Sequence, residues 1–138
     1  MGHRALVIAK KELERLVKEA MESKTEICGV LLGTVDSEGK VIVKRVKRAK
    51  NTKESPVLFE IDPEDLYQAI VEGEQEGLDI VGLYHSHPGP PRPSKRDLEG
   101  MKLWPVPWLI ISSLNGSYDC YLYILEENSI ARIPVILK

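Results

Sequence analysis

The sequence has few cysteines and no long apolar run. Two cysteines in 138 residues, Cys28 and Cys120, are too few for a disulfide framework. Both stand in apolar, strand-like surroundings that favour buried free thiols, with a single bridge as the alternative. No apolar stretch approaches the roughly 20 residues of a membrane span, and the one at residues 5–9 is too short for a secretory signal. We therefore expect no membrane association and a cytoplasmic location.

The chain also lacks a strong excess of either charge. It has 19 basic and 21 acidic residues, a net charge near -2, which argues against an obligate nucleic-acid binder. Residues 44–50 form a local basic run, and this pattern fits a solvated strand face or a docking surface for an acidic protein. The length is that of one domain, residues 1–138, and is sufficient to bury roughly two-thirds of the unfolded surface.

Apolar periodicity predicts an α/β fold with a mixed sheet flanked by helices, rather than a series of βαβ units. The helices are expected at residues 11–21, at 63–76 between Asp62 as N-cap and Gly77 as stop, and at 94–101. The predicted strands are residues 4–9, 27–35, 40–49, 79–85, 106–113, 117–125 and 130–137.

Two histidines at the end of a predicted strand are the most informative feature. His85 and His87 are two residues apart, so an extended chain points both imidazoles to one side, toward one ion. Asp97 follows one loop later, and two histidines with one carboxylate suit zinc and leave a position open for water. An isolated His-x-His is often incidental, and the segment from Ser94 to Asp97 also has the form of a helix capping box. The prediction of a catalytic metal site therefore depends on their combination.

The segment from His85 to Asp97 resembles the signature of the JAMM/MPN metalloproteases, His-x-His-Pro, a short loop and Ser-x-x-Asp. Residues 26–33, Glu-Ile-Cys-Gly-Val-Leu-Leu-Gly, look like the family's Glu-x-x-Gly-x-x-x-Gly strand. Residues 51–63 are similar to a connecting segment of its small prokaryotic members. The resemblance covers roughly residues 5–125, in family order. Five residues separate Pro88 from Ser94, where many members have six.

The resemblance implies a cytidine-deaminase-like fold with a curved mixed sheet, and a zinc-dependent peptidase. His85, His87 and Asp97 would hold one Zn²⁺, and Glu26 would act as general base. Ser94 would donate a hydrogen bond to the oxyanion that forms on the attacked carbonyl.

The resemblance also implies a substrate, a ubiquitin-like or small archaeal modifier protein cleaved after its C-terminal diglycine. Residues 51–60 and the helix at 94–101 are the expected walls of the substrate groove. Two alternatives stay open, a peptidase that processes a sulfur-carrier protein and a metal-free scaffold. A DNA-associated role is disfavoured by the acidic net charge. The sequence does not fix the oligomeric state, and a homodimer is one option.

Overall fold

A computed structural model describes residues 3–53 and 60–138, and within these ranges the chain forms eight strands and three α-helices. A 3₁₀ turn, Leu125–Glu127, precedes the last two strands. The elements are β1 (Ala5–Ile8), α1 (Lys10–Glu22), β2 (Cys28–Val35), β3 (Lys40–Ala49), α2 (Pro63–Glu76), β4 (Asp79–His87), α3 (Lys95–Leu103), β5 (Trp108–Ser112), β6 (Tyr118–Ile124), β7 (Ser129–Ile133) and β8 (Val135–Leu137).

The eight strands form one mixed sheet in the order β7-β6-β5-β4-β2-β3-β1-β8. Parallel pairs join β1 to β3, β1 to β8 and β4 to β5, and the other pairs are antiparallel. Only Pro134 separates β7 from β8, yet these strands are the two edges of the sheet. The sheet must therefore curve until its edges nearly meet, which confirms the predicted mixed, curved sheet.

The single strand predicted over residues 130–137 is wrong. The structure divides this segment at Pro134 into β7, paired with β6, and β8, paired with β1. Proline has no N–H to donate to a ladder, so it interrupts pairing at the point where the chain changes partners. The Pro134 carbonyl instead accepts a hydrogen bond from the Leu6 N–H at 2.9 Å.

Helix α2 begins and ends where its local sequence requires. The Asp62 side chain accepts a hydrogen bond from the Glu64 N–H, and Pro63 occupies the first turn, where a missing N–H costs nothing. Gly77 ends the helix with φ 73°, in the left-handed region that glycine enters without a Cβ clash. These predicted helix signals are confirmed.

Alternation along β4 separates the two faces of the sheet. Tyr84 packs in the core cluster that contains Leu16 of α1, whereas Trp108 packs in the cluster that contains Met101 of α3. His85, next to Tyr84, points to the opposite face, and its ring lies edge-on to Trp108 with centroids 5.7 Å apart. Helix α1 therefore covers one face, and the two histidines lie on the face covered by α2 and α3.

The two cysteines are free and buried. Cys28 on β2 and Cys120 on β6 are separated by β4 and β5, so three strand spacings of about 4.8 Å lie between them, roughly 14 Å along the sheet. A disulfide requires Cα atoms within about 4.4–6.8 Å. The prediction of buried thiols is confirmed, and the register excludes a bridge.

Most of the basic run on β3 is paired with acidic side chains. Arg45 forms ion pairs with Glu72 and Glu76 of α2, and Lys47 Nζ lies 2.9 Å from Glu72. On the other face, Arg48 lies 3.3 Å from Glu19 of α1. This pairing favours the interpretation of the run as a strand face over a free docking surface.

Among the described residues, no helix is both long and apolar enough to cross a bilayer.

Candidate metal centre

The last residues of β4 present two imidazoles side by side. The strand continues to His87, two residues beyond its predicted end, so both histidines have extended backbone. The His85 and His87 Nε2 atoms lie 3.0 Å apart, and the ring centroids are 4.7 Å apart. The His87 carbonyl accepts hydrogen bonds from the Ser113 N–H at 2.7 Å and its hydroxyl at 3.1 Å. These bonds hold the end of β4 in place.

Asp97 reaches the same point from the first turn of α3. In the capping box, the Ser94 hydroxyl oxygen accepts a hydrogen bond from the Asp97 N–H, and the Ser94 N–H donates one to Asp97 Oδ2 at 2.9 Å. This bond orients Oδ2, which lies 3.1 Å from His85 Nε2 and 2.9 Å from His87 Nε2. The helix cap therefore also aims the carboxylate at the histidines.

The three converging atoms have the spacing of a metal site. Three tetrahedral ligands at 2.0–2.1 Å from an ion lie roughly 3.3 Å from one another. The Nε2 atoms of His85 and His87 and the Oδ2 atom of Asp97 form a triangle with sides of 2.9–3.1 Å. Two imidazole nitrogens and one carboxylate oxygen are also the donor types that zinc accepts. The residues present therefore fit a metal ion.

Glu26 lies beside this triangle, immediately before β2. Its carboxylate and the ring nitrogens of His85 and His87 all lie within 4.8 Å of one another. That limit admits one water between the carboxylate and the imidazoles, since each hydrogen bond spans about 2.7–3.0 Å. The Glu26 side chain is only 4% exposed. A carboxylate at this position is suited to contact a reacting water.

The main chain around Glu26 is fixed from two sides. The Ile27 N–H donates to the Ser86 hydroxyl oxygen at 2.9 Å, and the Ser86 N–H donates to the Ile27 carbonyl at 3.0 Å. On the other side, the Asn51 side-chain N–H donates to the Glu26 carbonyl at 2.9 Å. Ser86 lies between the two histidines and points to the opposite face of β4, where it connects the strand to the segment that carries Glu26.

Burial and close charges shift the pKa values of the triangle in different directions. Burial lowers the pKa of His85. Burial acts in the same direction on His87, but its hydrogen bond to Asp97 and the nearby carboxylates outweigh burial and raise the pKa of His87. For Asp97 burial acts to raise the pKa, but hydrogen bonds from the two histidines and from Ser94 outweigh burial and hold the pKa well below its usual range. Asp97 is therefore ionised, as a metal ligand must be.

The pKa of Glu26 is raised from 4.5 to about 7. Burial of its carboxyl group is the main cause, the charge of His87 acts to lower the pKa, and the negative charge of Asp97 acts to raise it. A carboxyl group with a pKa near the ambient pH can both accept and release a proton. Its environment therefore gives Glu26 the properties of a general acid–base group.

A groove of about 530 Å³ adjoins the triangle, and we call it the α3 groove. Trp108, which contacts His85, forms part of its wall, and Leu103 stands at its rim with 82% of its surface exposed. Helix α3, one of the two predicted groove walls, lines this groove. In the other predicted wall, residues 51–60, Glu60 lines the groove, and residues 54–59 lie outside the described residues. Its lining residues are Glu60, Ile61, Leu66, Leu83, Arg96, Glu99, Gly100, Leu103, Trp104 and Trp108.

Sequence reasoning missed two residues of this site, Asn51 and Ser113. Each acts on a main-chain carbonyl of a residue that is distant in sequence, Glu26 and His87 respectively. The pairing of β2 with β3 brings Asn51 to Glu26, and the pairing of β4 with β5 brings Ser113 to His87, so no spacing in the sequence reveals these contacts.

This chain is similar in sequence to a known protein family and to several characterised proteins. A family model described as prokaryotic homologs of the JAB domain matches residues 9–122. A desampylase from Pyrococcus furiosus is 40% identical over 134 residues, covering 96% of this chain and 91% of that protein. A desampylase from Haloferax volcanii is 36% identical, covering 74% and 72%. A probable TtuB-protein conjugate cleaving protease from Thermus thermophilus is 39% identical, covering 71% and 64%.

Solved structures show the same fold. A protein from Desulfitobacterium hafniense has a TM-score of 0.82 at 28% identity, covering 97% of this chain and 92% of that one. A protein from Salinibacter ruber has a TM-score of 0.72 at 26% identity, covering 96% and 90%. With a family match over most of its length and a 40% identical relative aligned almost end to end, the chain belongs to the prokaryotic JAB-domain branch of the JAMM/MPN family.

Proposed function

We propose that this protein is a zinc-dependent isopeptidase that releases a small ubiquitin-like modifier by hydrolysing the bond after its C-terminal diglycine. One observation carries the proposal: three donor atoms converge within 2.9–3.1 Å of one another, and Glu26 lies within 4.8 Å of both histidines. The names of the relatives, two desampylases and a probable conjugate-cleaving protease, support this substrate class.

In this proposal His85, His87 and Asp97 hold one zinc ion. When bound, zinc supplies Lewis-acid chemistry, polarising a carbonyl and making water acidic near neutral pH. The capping box keeps Asp97 aimed at the histidines before the ion arrives, which lowers the cost of ordering the ligands.

Glu26 moves the protons of the reaction. Its carboxylate takes a proton from the attacking water and later delivers it to the leaving amine, the lysine Nε of an isopeptide. A pKa of about 7 suits both steps. The hydrogen bond from Asn51 and the contacts of Ile27 with Ser86 hold the carboxylate within reach.

Ser94 stabilises the oxyanion of the tetrahedral intermediate. Its hydroxyl oxygen already accepts the Asp97 N–H, so the hydroxyl proton is free to donate to the attacked carbonyl oxygen. Ser94 is exposed at the start of α3, where a substrate can reach it.

The α3 groove receives the tail of the modifier. An extended tail in this groove places its apolar side chains against Ile61, Leu103 and Trp104 and its end at the metal centre. Glycines at that end permit the backbone to approach the ligands closely, because they carry no Cβ. The charged residues at the groove, Glu60, Arg96 and Glu99, supply polar contacts for the tail.

The test combines zinc quantification with cleavage of a modifier joined through its diglycine to a lysine side chain. We expect one zinc per chain and cleavage that a chelator abolishes. Glu26→Gln should keep the ion and lose turnover, whereas His87→Ala should lose both. His3→Ala, a histidine outside the site, is the matched control and should change neither.

Two results would refute this proposal. Wild-type turnover in Glu26→Gln would remove the assigned base. Full zinc content and turnover in His87→Ala would remove the assigned ligand. A linear diglycine fusion that is cleaved while the isopeptide is not would redirect the proposal to sulfur-carrier processing.

A further inference from the structure

A second groove, of about 430 Å³, lies on the Glu26 side of the metal centre, and we call it the Glu26 groove. The end of β3 and the first turn of α2 contribute to its walls, and there the Lys50 N–H donates to Asp65 Oδ2 at 2.7 Å. Glu26 itself lines this groove. Among the described residues, no residue lines both this groove and the α3 groove. The two grooves are therefore separate spaces beside the same centre.

The chemistry of the reaction requires space for the leaving group beside Glu26. In the proposed function, on which this inference rests, Glu26 delivers a proton to the leaving lysine Nε, which must come within about 3 Å of its carboxylate. An extended lysine side chain then places the main chain of the conjugated protein roughly 6 Å further on. Because the tail of the modifier occupies the α3 groove, the leaving side of the scissile bond is left with the Glu26 groove.

Three exposed lysines lie on or next to the walls of the Glu26 groove, and we call them the lysine rim: Lys24, Lys50 and Lys53. Lys50 lines the groove, Lys24 precedes the lining residue Thr25, and Lys53 is two residues beyond the lining residue Asn51. Within residues 3–53 and 60–138, none of the three forms an ion pair. Their charges are therefore available to a bound molecule.

The other charges at the groove do not cancel the lysine rim. Arg48 also lines the groove, but it is paired with Glu19 of α1 at 3.3 Å. Asp65 is half-buried, and its Oδ2 atom already accepts the Lys50 N–H. Exposed lysines are common on solvated surfaces, so they identify no partner by themselves. Here they are informative because they lie beside the group that must face the leaving amine.

We propose that the Glu26 groove holds the modified lysine of the conjugated protein, and that the lysine rim selects lysines with acidic neighbours in sequence. Aspartate or glutamate next to the modified lysine meets opposite charge at the rim, whereas arginine or lysine there meets like charge.

The lysine rim also distinguishes the substrate from the product. The nitrogen of an isopeptide bond is an amide and carries no charge, so the rim does not repel the lysine while it is modified. After hydrolysis the released amine is an ammonium at neutral pH, because the pKa of a lysine is about 10.4. Repulsion from the rim then favours its departure.

The test uses a modifier joined through its diglycine to the lysine of two short peptides. One peptide has aspartate on each side of the lysine, and the other has arginine at the same positions. At low salt we expect wild type to cleave the aspartate conjugate with a kcat/KM about two- to five-fold higher, the effect of an exposed charge pair. High salt should remove this preference, because it screens exposed charges.

Lys50→Glu should abolish or invert the preference between the two peptides. Lys44→Glu, a charge reversal at an exposed lysine of β3 outside the groove, is the matched control and should keep the wild-type preference. Each preference is a ratio of two substrates on one enzyme. A change in the pKa of Glu26 or in zinc content therefore cancels from it.

A third substrate separates this inference from the proposed function: the modifier joined through its diglycine to a small aromatic amine, which has no flanking residues. If wild type cleaves none of the three substrates, the proposed function fails and this inference fails with it. If wild type cleaves them but treats the two peptides equally, prefers arginine, or keeps its preference in Lys50→Glu, this inference alone is overturned.

Discussion

The burial of Glu26 predicts that removing its charge stabilises the metal-free protein while abolishing turnover. The folded state must ionise a carboxyl group whose pKa is about 7, whereas the unfolded chain ionises it at 4.5. Because the pKa of Glu26 is higher in the folded state, the contribution of this group to the free energy of unfolding is complete below pH 4.5 and is lost as the pH rises through 7. The Glu26→Gln variant has no titrating group at this position. The difference between its free energy of unfolding and that of wild type should therefore grow across this pH range.

The size of the effect follows from the shift. A difference of 2.5 pKa units, at about 1.4 kcal/mol each, corresponds to about 3 kcal/mol at pH 8 and to less than about 1 kcal/mol at pH 5. With a typical slope for guanidinium, a gain of about 3 kcal/mol moves the unfolding midpoint by roughly 0.5–1 M. The buried Trp108 provides a fluorescence signal for the transition.

The assay compares wild type and Glu26→Gln in chelator at pH 5 and pH 8. Glu126→Gln, an exposed carboxylate on the 3₁₀ turn, is the control and should shift the midpoint at neither pH. Saturating zinc should reduce the gain, since a nearby dication favours the ionised carboxylate. An equal midpoint shift at both pH values would show that the charge of Glu26 is not the cause.

Three further predictions concern the proposed reaction. Ser94→Ala should lower kcat by about 10²–10³ with zinc content retained, because it removes one oxyanion donor, and a loss confined to KM would contradict this role. Leu103→Glu should raise KM for the modifier conjugate several-fold with little change in kcat, whereas Leu125→Glu, an equally exposed site away from the α3 groove, should change neither. Zinc at about 100 times its Kd should raise the free energy of unfolding by about 2.7 kcal/mol in wild type and by much less in His87→Ala, as chemical denaturation would measure.

The features that could be predicted from the sequence are those fixed by local physical chemistry. The i, i+2 spacing of His85 and His87 places both rings on one side of a strand, and Asp62, Pro63 and Gly77 determine the ends of α2. The capping-box pattern of Ser94 and Asp97 likewise describes what the structure contains. Asp97 follows the histidines by one loop and was expected as the third donor on that ground, whereas the proximity of Glu26 to the histidines came from the family resemblance, because no local rule joins residues that distant.

What could not be predicted depends on which strands pair. Pro134 splits the last predicted strand because the curved sheet brings its two edges to the same place, a property of all eight strands together. Asn51 reaches the Glu26 carbonyl because the antiparallel register of β2 and β3 places Cys28 opposite Ala49. An isolated bridge to Ile61 pairs Asn51 on its other side. Periodicity describes one element at a time and contains no information about such pairings.

The change of pairing partner at Pro134, from β6 to β1, also affects how well the chain tolerates truncation or tagging near Lys138. Although β8 has only three residues, it occupies the edge of β1, where the Lys138 N–H donates to the Ile8 carbonyl and the Lys10 N–H donates to the Lys138 carbonyl. A truncation at Pro134 would open that edge, and unpaired strand edges recruit other chains into aggregates. Affinity tags on this protein are therefore better separated from Lys138 by a flexible spacer than joined to a shortened end.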